Sequence, residues 1–170
     1  MTQAHDLTLL LDNEHERRRD ALDTDGAELV IQRALQAGLD TLEDTGQMPG
    51  VITGNALEIS ALLTGDEQVQ QLNRDYRHQD KPTNILSFPQ LDHDTPSWPD
   101  DAVIPLGDLA LAFETVASEA KARDITVSQH VSHLVVHGLF HLVGFDHDHD
   151  HSAEAMETLE VRAMQRLGLK

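Results

Sequence analysis

The stretch from Thr126 to His147 constrains this chain more than any other part of it. Thr126-Val127-Ser128-Gln129 has the form of a capping box, a threonine answered three residues later by a glutamine, and sets a helix start. Val131, Leu134, Val135, Gly138 and Leu142 then trace one helical face, and Gly144 is a natural stop. His137 and His141 lie four residues apart on that helix, so their imidazoles share a face one turn apart. There they can hold one ion at Zn–N distances of about 2.0–2.1 Å. His147 follows Gly144 within three residues, close enough for the turning chain to supply a third nitrogen. Three neutral imidazoles leave a fourth position for water, the open arrangement of a catalytic zinc. The spacing therefore predicts one Zn2+ held by His137, His141 and His147.

The neighbouring histidines read differently. Residues eight apart on a helix are separated by about 12 Å along the axis, so His133 and His141 cannot share an ion. His133 is therefore expected outside the ligand set, supporting it by a hydrogen bond. His149 and His151 alternate with aspartates in a run that reads as a solvated segment. The pattern resembles the metal helix of zinc proteases, but those enzymes place a glutamate general base directly after the first histidine. Here that residue is Gly138, which argues against peptide hydrolysis by that route.

Length and composition narrow the function classes. A chain of 170 residues with 39 % apolar content has the size and patterning of one folded domain, expected to span residues 1–170. No apolar run approaches the roughly 20 residues of a membrane span. The first twenty residues lack a basic start and a small-residue cleavage site, and there is no cysteine; both point to a cytoplasmic protein with no disulfide or thiolate site. A formal charge of −18 repels phosphate backbones on average, so a nucleic-acid role requires a local cationic groove or a basic partner.

Along the chain, Asp6–Asp12 reads as a strand, 13–26 as a charged loop, and Val30, Ile31, Ala34 and Leu35 as a helix face ended by Gly38. Leu42–Gly50 has turn composition. Leu57–Leu63 alternates as a strand, followed by a helix with Asp66 as N-cap and Val69, Leu72 and Tyr76 as its stripe. Ile85–Phe88 reads as a third strand, and 90–101 as an exposed loop with Trp98 as a packing anchor. Leu109, Leu111 and Phe113 read as a fourth strand running into a helix over 114–123, and a last amphipathic helix covers about 154–167. Four strands interleaved with helices predict an α+β fold, a small mixed sheet packed with helices.

Three blocks carry a resemblance to the YbeY family of bacterial endoribonucleases linked to ribosomal RNA maturation. They are His133–His147 (HLVVHGLFHLVGFDH), Leu72–Pro89 (LNRDYRHQDKPTNILSFP) and Leu106–Leu109 (LGDL), in matching order and spacing. The first fifty residues resemble the family only loosely, and Phe145 stands where the family often has tyrosine. The resemblance implies a zinc on the three histidines, a four-stranded sheet, and a functional role for Arg77 beside the metal. Read by itself, Arg77 is equally a surface ion-pair partner of Asp75 or Asp80. Arginine in such a cleft offers paired donors to phosphate and stabilises charge on a pentacoordinate phosphorus. With Arg74 and Lys81 it forms the candidate cationic groove. Asn84 and Ser87 are possible hydrogen-bond donors, and Asp108 and Asp146 possible partners of a ligand histidine.

The expectation is zinc-dependent cleavage of single-stranded RNA, with His137 and Arg77 as catalytic residues, in ribosomal RNA maturation and ribosome quality control. Either water or the ribose 2′-hydroxyl is the attacking group. Aromatic content of only 4 % leaves little for base stacking, so specificity is expected from the ribosome or a protein partner. The alternatives are a non-catalytic ribosome assembly factor with a structural zinc, and a metal hydrolase acting on another substrate.

Overall fold

Strands whose apolar residues alternate with polar ones can wet one face of a sheet and bury the other. A computed structural model, which describes residues 5–14, 24–91, 98–146 and 148–169, shows four such strands. They are β1 (Leu7–Asn13), β2 (Ala56–Thr64), β3 (Ile85–Pro89) and β4 (Val103–Ala112), in the order β1-β2-β4-β3. β1, β2 and β4 run parallel, and β3 is antiparallel to β4, which makes the sheet mixed. The helices are α1 (Thr24–Asp44), α2 (Asp66–Arg77), α3 (Phe113–Ala122), α4 (Val127–Leu142) and α5 (Asp150–Arg166). The α+β architecture with a four-stranded mixed sheet is the one expected.

The main core joins one sheet face, with Leu57, Ile59, Leu63, Ile104, Leu109 and Leu111, to the apolar sides of α1, α4 and α5. A smaller cluster on the other face seats α2 through Val69 on Leu86, Ala110 and Ala112. In β4 the inward positions switch from even numbers (Ile104, Leu106) to odd ones (Leu109, Leu111). The switch comes from a bulge: Glu58 and Ile59 of β2 pair with Pro105 and Gly107, so Leu106 is the extra residue. Gly107 takes φ +141°, and a Cβ there would stand 2.3 Å from the carbonyl oxygen of Phe88. Only glycine fits this position.

Several local expectations need correction. Gly38 does not end α1, which runs on to Asp44. A Cβ on Gly38 would lie 2.6 Å from Cδ2 of Leu139, so the glycine lets α1 and α4 cross closely, and that packing outweighs its poor helix propensity. Residues 24–26 belong to α1 rather than to a loop, and Gly50–Ile52 form a 3₁₀ turn. Gly65, not Asp66, stands at the N-cap of α2. The Asp66 carboxylate instead accepts from the backbone and hydroxyl of Thr115, while Glu114 accepts from the Asp66 amide, joining the starts of α2 and α3. Tyr76 is 67 % exposed rather than buried in the stripe. Phe113 opens α3 instead of closing a strand, and α5 begins at Asp150 rather than near 154, while His149, Asp150 and His151 are exposed, as a solvated run requires. Among the described residues no helix is long and apolar enough to cross a membrane.

Gly138 lies in the seam between α4 and the sheet, where a Cβ would meet Leu109 Cδ2 at 2.8 Å and Ile85 Cδ1 at 3.1 Å. Gly138→Ala should therefore cost about 1–3 kcal/mol of stability through overpacking. Gly107→Ala should cost at least about 1–3 kcal/mol through backbone strain. Urea unfolding of both variants checks this; wild-type midpoints would mean that the seam and the bulge are looser than described.

Candidate metal centre

The capping box forms as expected, with Thr126 Oγ1 accepting from the Gln129 amide and the Gln129 side chain accepting from the Thr126 amide. From that start α4 buries Val135, Val136, Leu139 and Phe140, which leaves His137 and His141 half-buried on its open side. The two rings stand nearly perpendicular, at 79°, with centroids 4.6 Å apart. Gly144, at φ +106°, turns the chain so that the Phe145 carbonyl returns to the helix end. His147 lies outside the described residues.

The outer nitrogens of both rings are tied. His137 Nδ1 is 2.5 Å from a carboxylate oxygen of Glu160, and His141 Nδ1 is 2.9 Å from the Phe145 carbonyl. An ionised carboxylate and a carbonyl can only accept, so both Nδ1 atoms carry the protons. In the neutral rings each Nε2 then carries the lone pair, and the two Nε2 atoms lie 3.0 Å apart. Two lone pairs so close repel unless a cation or proton lies between them. Tetrahedral zinc with bonds of about 2.0–2.1 Å spaces its ligand atoms by roughly 3.4 Å, a small relaxation from this arrangement. The residues therefore fit the ion that the family implies.

Glu160, on α5, was not anticipated from sequence. It is nearly buried and also faces His133, whose Nε2 is 3.4 Å from its second oxygen. Its signal was present: Met156, Leu159, Glu160 and Ala163 follow helical core spacing, and an acid in such a stripe calls for a partner. Burial alone raises its pKa, but hydrogen bonds and charge from His133 and His137 outweigh that and hold it at about 2, against an ordinary 4.5. His133 thus supports the centre as expected, acting through this shared carboxylate.

A hollow of about 600 Å³ opens beside the two rings, and Arg77, Lys81, Asn84, Ser87 and Asp146 line it. Asn73 stitches its rim together. Its carbonyl accepts from the amides of His78 and Gln79 at the end of α2, and its side-chain amide donates to the Lys81 carbonyl at 2.9 Å. Arg77 lies over the Phe88 ring, 5.5 Å from its centroid, and donates through Nη2 to the Ser87 carbonyl. Neither contact is the ion pair weighed for it; Arg74 pairs with Asp75, and Asp80 accepts from Gln70. Arg74 does not line the hollow, so the cations of the expected groove reduce to Arg77 and Lys81, which share the lining with Asp146 and Asp148. Asn84 spends its amide on Glu119, which also holds the buried His130 at 3.0 Å. Ser87 Oγ approaches the Gly138 carbonyl at 3.5 Å. Asp108 belongs elsewhere: it sits within β4, accepts from Gln90, and lines a hollow with Leu10 and Tyr76.

A separate group at the start of β1 brings His5, Asp40 and Glu43 together, with ligand-type atoms all within 4.8 Å of one another. His5 Nε2 lies 3.2 Å from Glu43 and 3.6 Å from Asp40, a clasp of β1 onto α1 that shares no residue with the hollow around His137.

Two outcomes follow from Glu160. Glu160→Gln should weaken zinc binding about 10–100-fold, measured by competition against a chromogenic chelator. Its lowered pKa also sets a sign: the carboxylate contributes stability that is present above about pH 4.5 and is lost as pH falls toward about 2. Acid unfolding of the metal-free protein should lose that limb in Glu160→Gln; superimposable acid transitions would contradict the coupling.

Comparison with known proteins agrees with this framework. The family model described as Endoribonuclease YbeY matches residues 12–168. A relative from Erythrobacter litoralis named Endoribonuclease YbeY is 52 % identical over 119 residues, covering 66 % of this chain and 72 % of its own. One of the same name from Rhodospirillum rubrum is 46 % identical over 144 residues, covering 85 % of this chain and 71 % of its own. The solution structure of TM1509 from Thermotoga maritima matches 95 % of this chain and 91 % of that one, with TM-score 0.53 at 16 % identity, a likeness of fold. On the match over residues 12–168 and these identities, the chain belongs to the YbeY family.

Proposed function

We propose that this chain is a zinc-dependent endoribonuclease that cleaves single-stranded RNA during ribosomal RNA maturation and ribosome quality control in the cytoplasm. One observation carries the reading: two Nε2 atoms face each other at 3.0 Å beside a hollow that also holds Arg77 and Lys81. In a chain of charge −18, two cations next to a metal-binding pair form a place where a phosphodiester is favoured. The relatives' shared name supplies the reaction class.

His137 and His141, with His147 as the third donor of the proposal, would hold the zinc. When bound, the ion supplies Lewis acidity to a phosphoryl oxygen and lowers the pKa of water toward about 7. The protein's own groups do the rest. Glu160 and the Phe145 carbonyl keep both Nδ1 atoms protonated, so that Nε2 points inward. Arg77 is pre-placed by Phe88 and the Ser87 carbonyl, with donors near the centre where charge grows on the phosphate. Asn73 holds Lys81 at the rim, where it attracts the backbone. Asp146, beside the rings, is available to accept a proton from the attacking water or 2′-hydroxyl. Recognition of a particular RNA site is assigned to the ribosome or a protein partner.

Arg77→Ala should lower kcat on an RNA oligomer about 10²–10³-fold while leaving zinc content unchanged. Chelation should abolish cleavage, and zinc should restore it. A 2′,3′-cyclic phosphate on the product would identify internal attack. Folded, zinc-depleted protein that still supported normal ribosomal RNA processing would defeat the enzymatic reading in favour of an assembly factor. Metal-dependent activity confined to small non-RNA esters would favour a different hydrolase.

A further inference from the structure

On the far side of His137 from Arg77 lies a second hollow, of about 360 Å³. Asn84 and His137 line both hollows, so the metal-binding helix forms the ridge between them. We infer that the second hollow is a nucleotide subsite, taking the residue of the RNA strand next to the one in the Arg77 hollow. The inference rests on the ribonuclease reading and adds where the strand runs: over the His137 ridge, with one nucleotide on each side.

The lining has the three parts such a subsite needs. Arg123, just past the end of α3, is the cation of this hollow, and its guanidinium has no partner among the described residues. In a chain with 30 acidic and 12 basic side chains, an arginine whose donors make no ion-pair contact among the described residues, although Glu157 and Glu160 line the same hollow, is suited to a phosphate. His133 contributes a planar ring that is 38 % exposed and tethered at Nε2 by Glu160, a held platform for a base. Leu134 and Met156 supply apolar floor beside it. Glu157, on α5, repels a phosphate, which turns the backbone toward Arg123 and the base toward α5. The wall also holds the imidazole of His130, 1 % exposed, whose Nδ1 has no hydrogen-bond partner among the described residues.

The test is binding of a fluorescent single-stranded hexaribonucleotide to metal-free protein, so that the strand stays intact, by anisotropy across a range of KCl concentrations. Arg123→Ala should weaken binding several-fold and lower the slope of log K against log salt by about 0.7, the loss of one phosphate contact. His133→Ala should weaken binding about fivefold or more, the loss of one stacked base. Arg162→Ala, an exposed cation outside both hollows, should leave the slope unchanged. Circular dichroism shows whether each variant is folded, and Arg123, being exposed, is expendable for folding. Wild-type affinity and slope in Arg123→Ala, or an equal loss in Arg162→Ala, would overturn the subsite. If the unaltered zinc-loaded protein neither binds nor cleaves RNA, the ribonuclease reading fails and takes the subsite with it. The two failures are told apart by the unaltered protein alone.

Discussion

The rest of the structure depends on how closely α4 presses against the strands beneath it. Where the helix crosses β3 and β4 it presents Gly138, with Leu109, Ile85 and Ser87 filling the space a side chain would occupy. Bare backbone at this point brings His137 and His141 to the level of the β3 edge, where Ser87 and Arg77 meet. The same contact explains why the protease comparison breaks down at this residue. A glutamate there would have to enter a filled seam, so any proton acceptor must come from another segment, such as the turn carrying Asp146.

Much of the centre was legible in the sequence because its information is local. A capping box, two histidines at i and i+4 and a glycine stop are all set by helix geometry over less than twenty residues. What escaped was held by contacts between distant segments. Gly38 reads as a helix stop by propensity, and only the crossing with Leu139 shows it as a point of close approach. Asp66 reads as an N-cap, but its partner is Thr115. Glu160 belongs to the site because α5 lies along α4, a fact that no spacing around His137 contains. Arg77 is the intermediate case: its neighbours in sequence suggested an ion pair, its neighbours in space are a carbonyl and an aromatic face, and the family blocks pointed to its place in the hollow beside His137 and His141.

The electrostatics follow from the same layout. Most acids are exposed and solvated, whereas Glu160 is held between two imidazoles and is ionised far below neutrality. That carboxylate gives the centre a built-in negative charge, which favours a cation between the rings and keeps the outer ring nitrogens protonated. Three of the twelve basic side chains line the two hollows, Arg77 and Lys81 in one and Arg123 in the other, with His137 common to both. A net charge of −18 repels polyanions on average, so any attraction between this chain and a phosphate backbone has to be local.

The bulge at Leu106 has a consequence for how this strand tolerates change. Before it, even-numbered side chains of β4 enter the core; after it, odd-numbered ones do. The extra residue therefore acts as a phase shifter between two halves of one strand, and lets both face the same core. Pairing every residue in plain alternation, with none removed, would turn the downstream half over, exchanging Leu109 and Leu111 for Asp108 and Ala110 against the underside of α4, whereas removing the extra residue would keep that half in phase. The bulge is thus what reconciles the residue count of this short segment with the core beneath it, although the segment itself touches no reacting group.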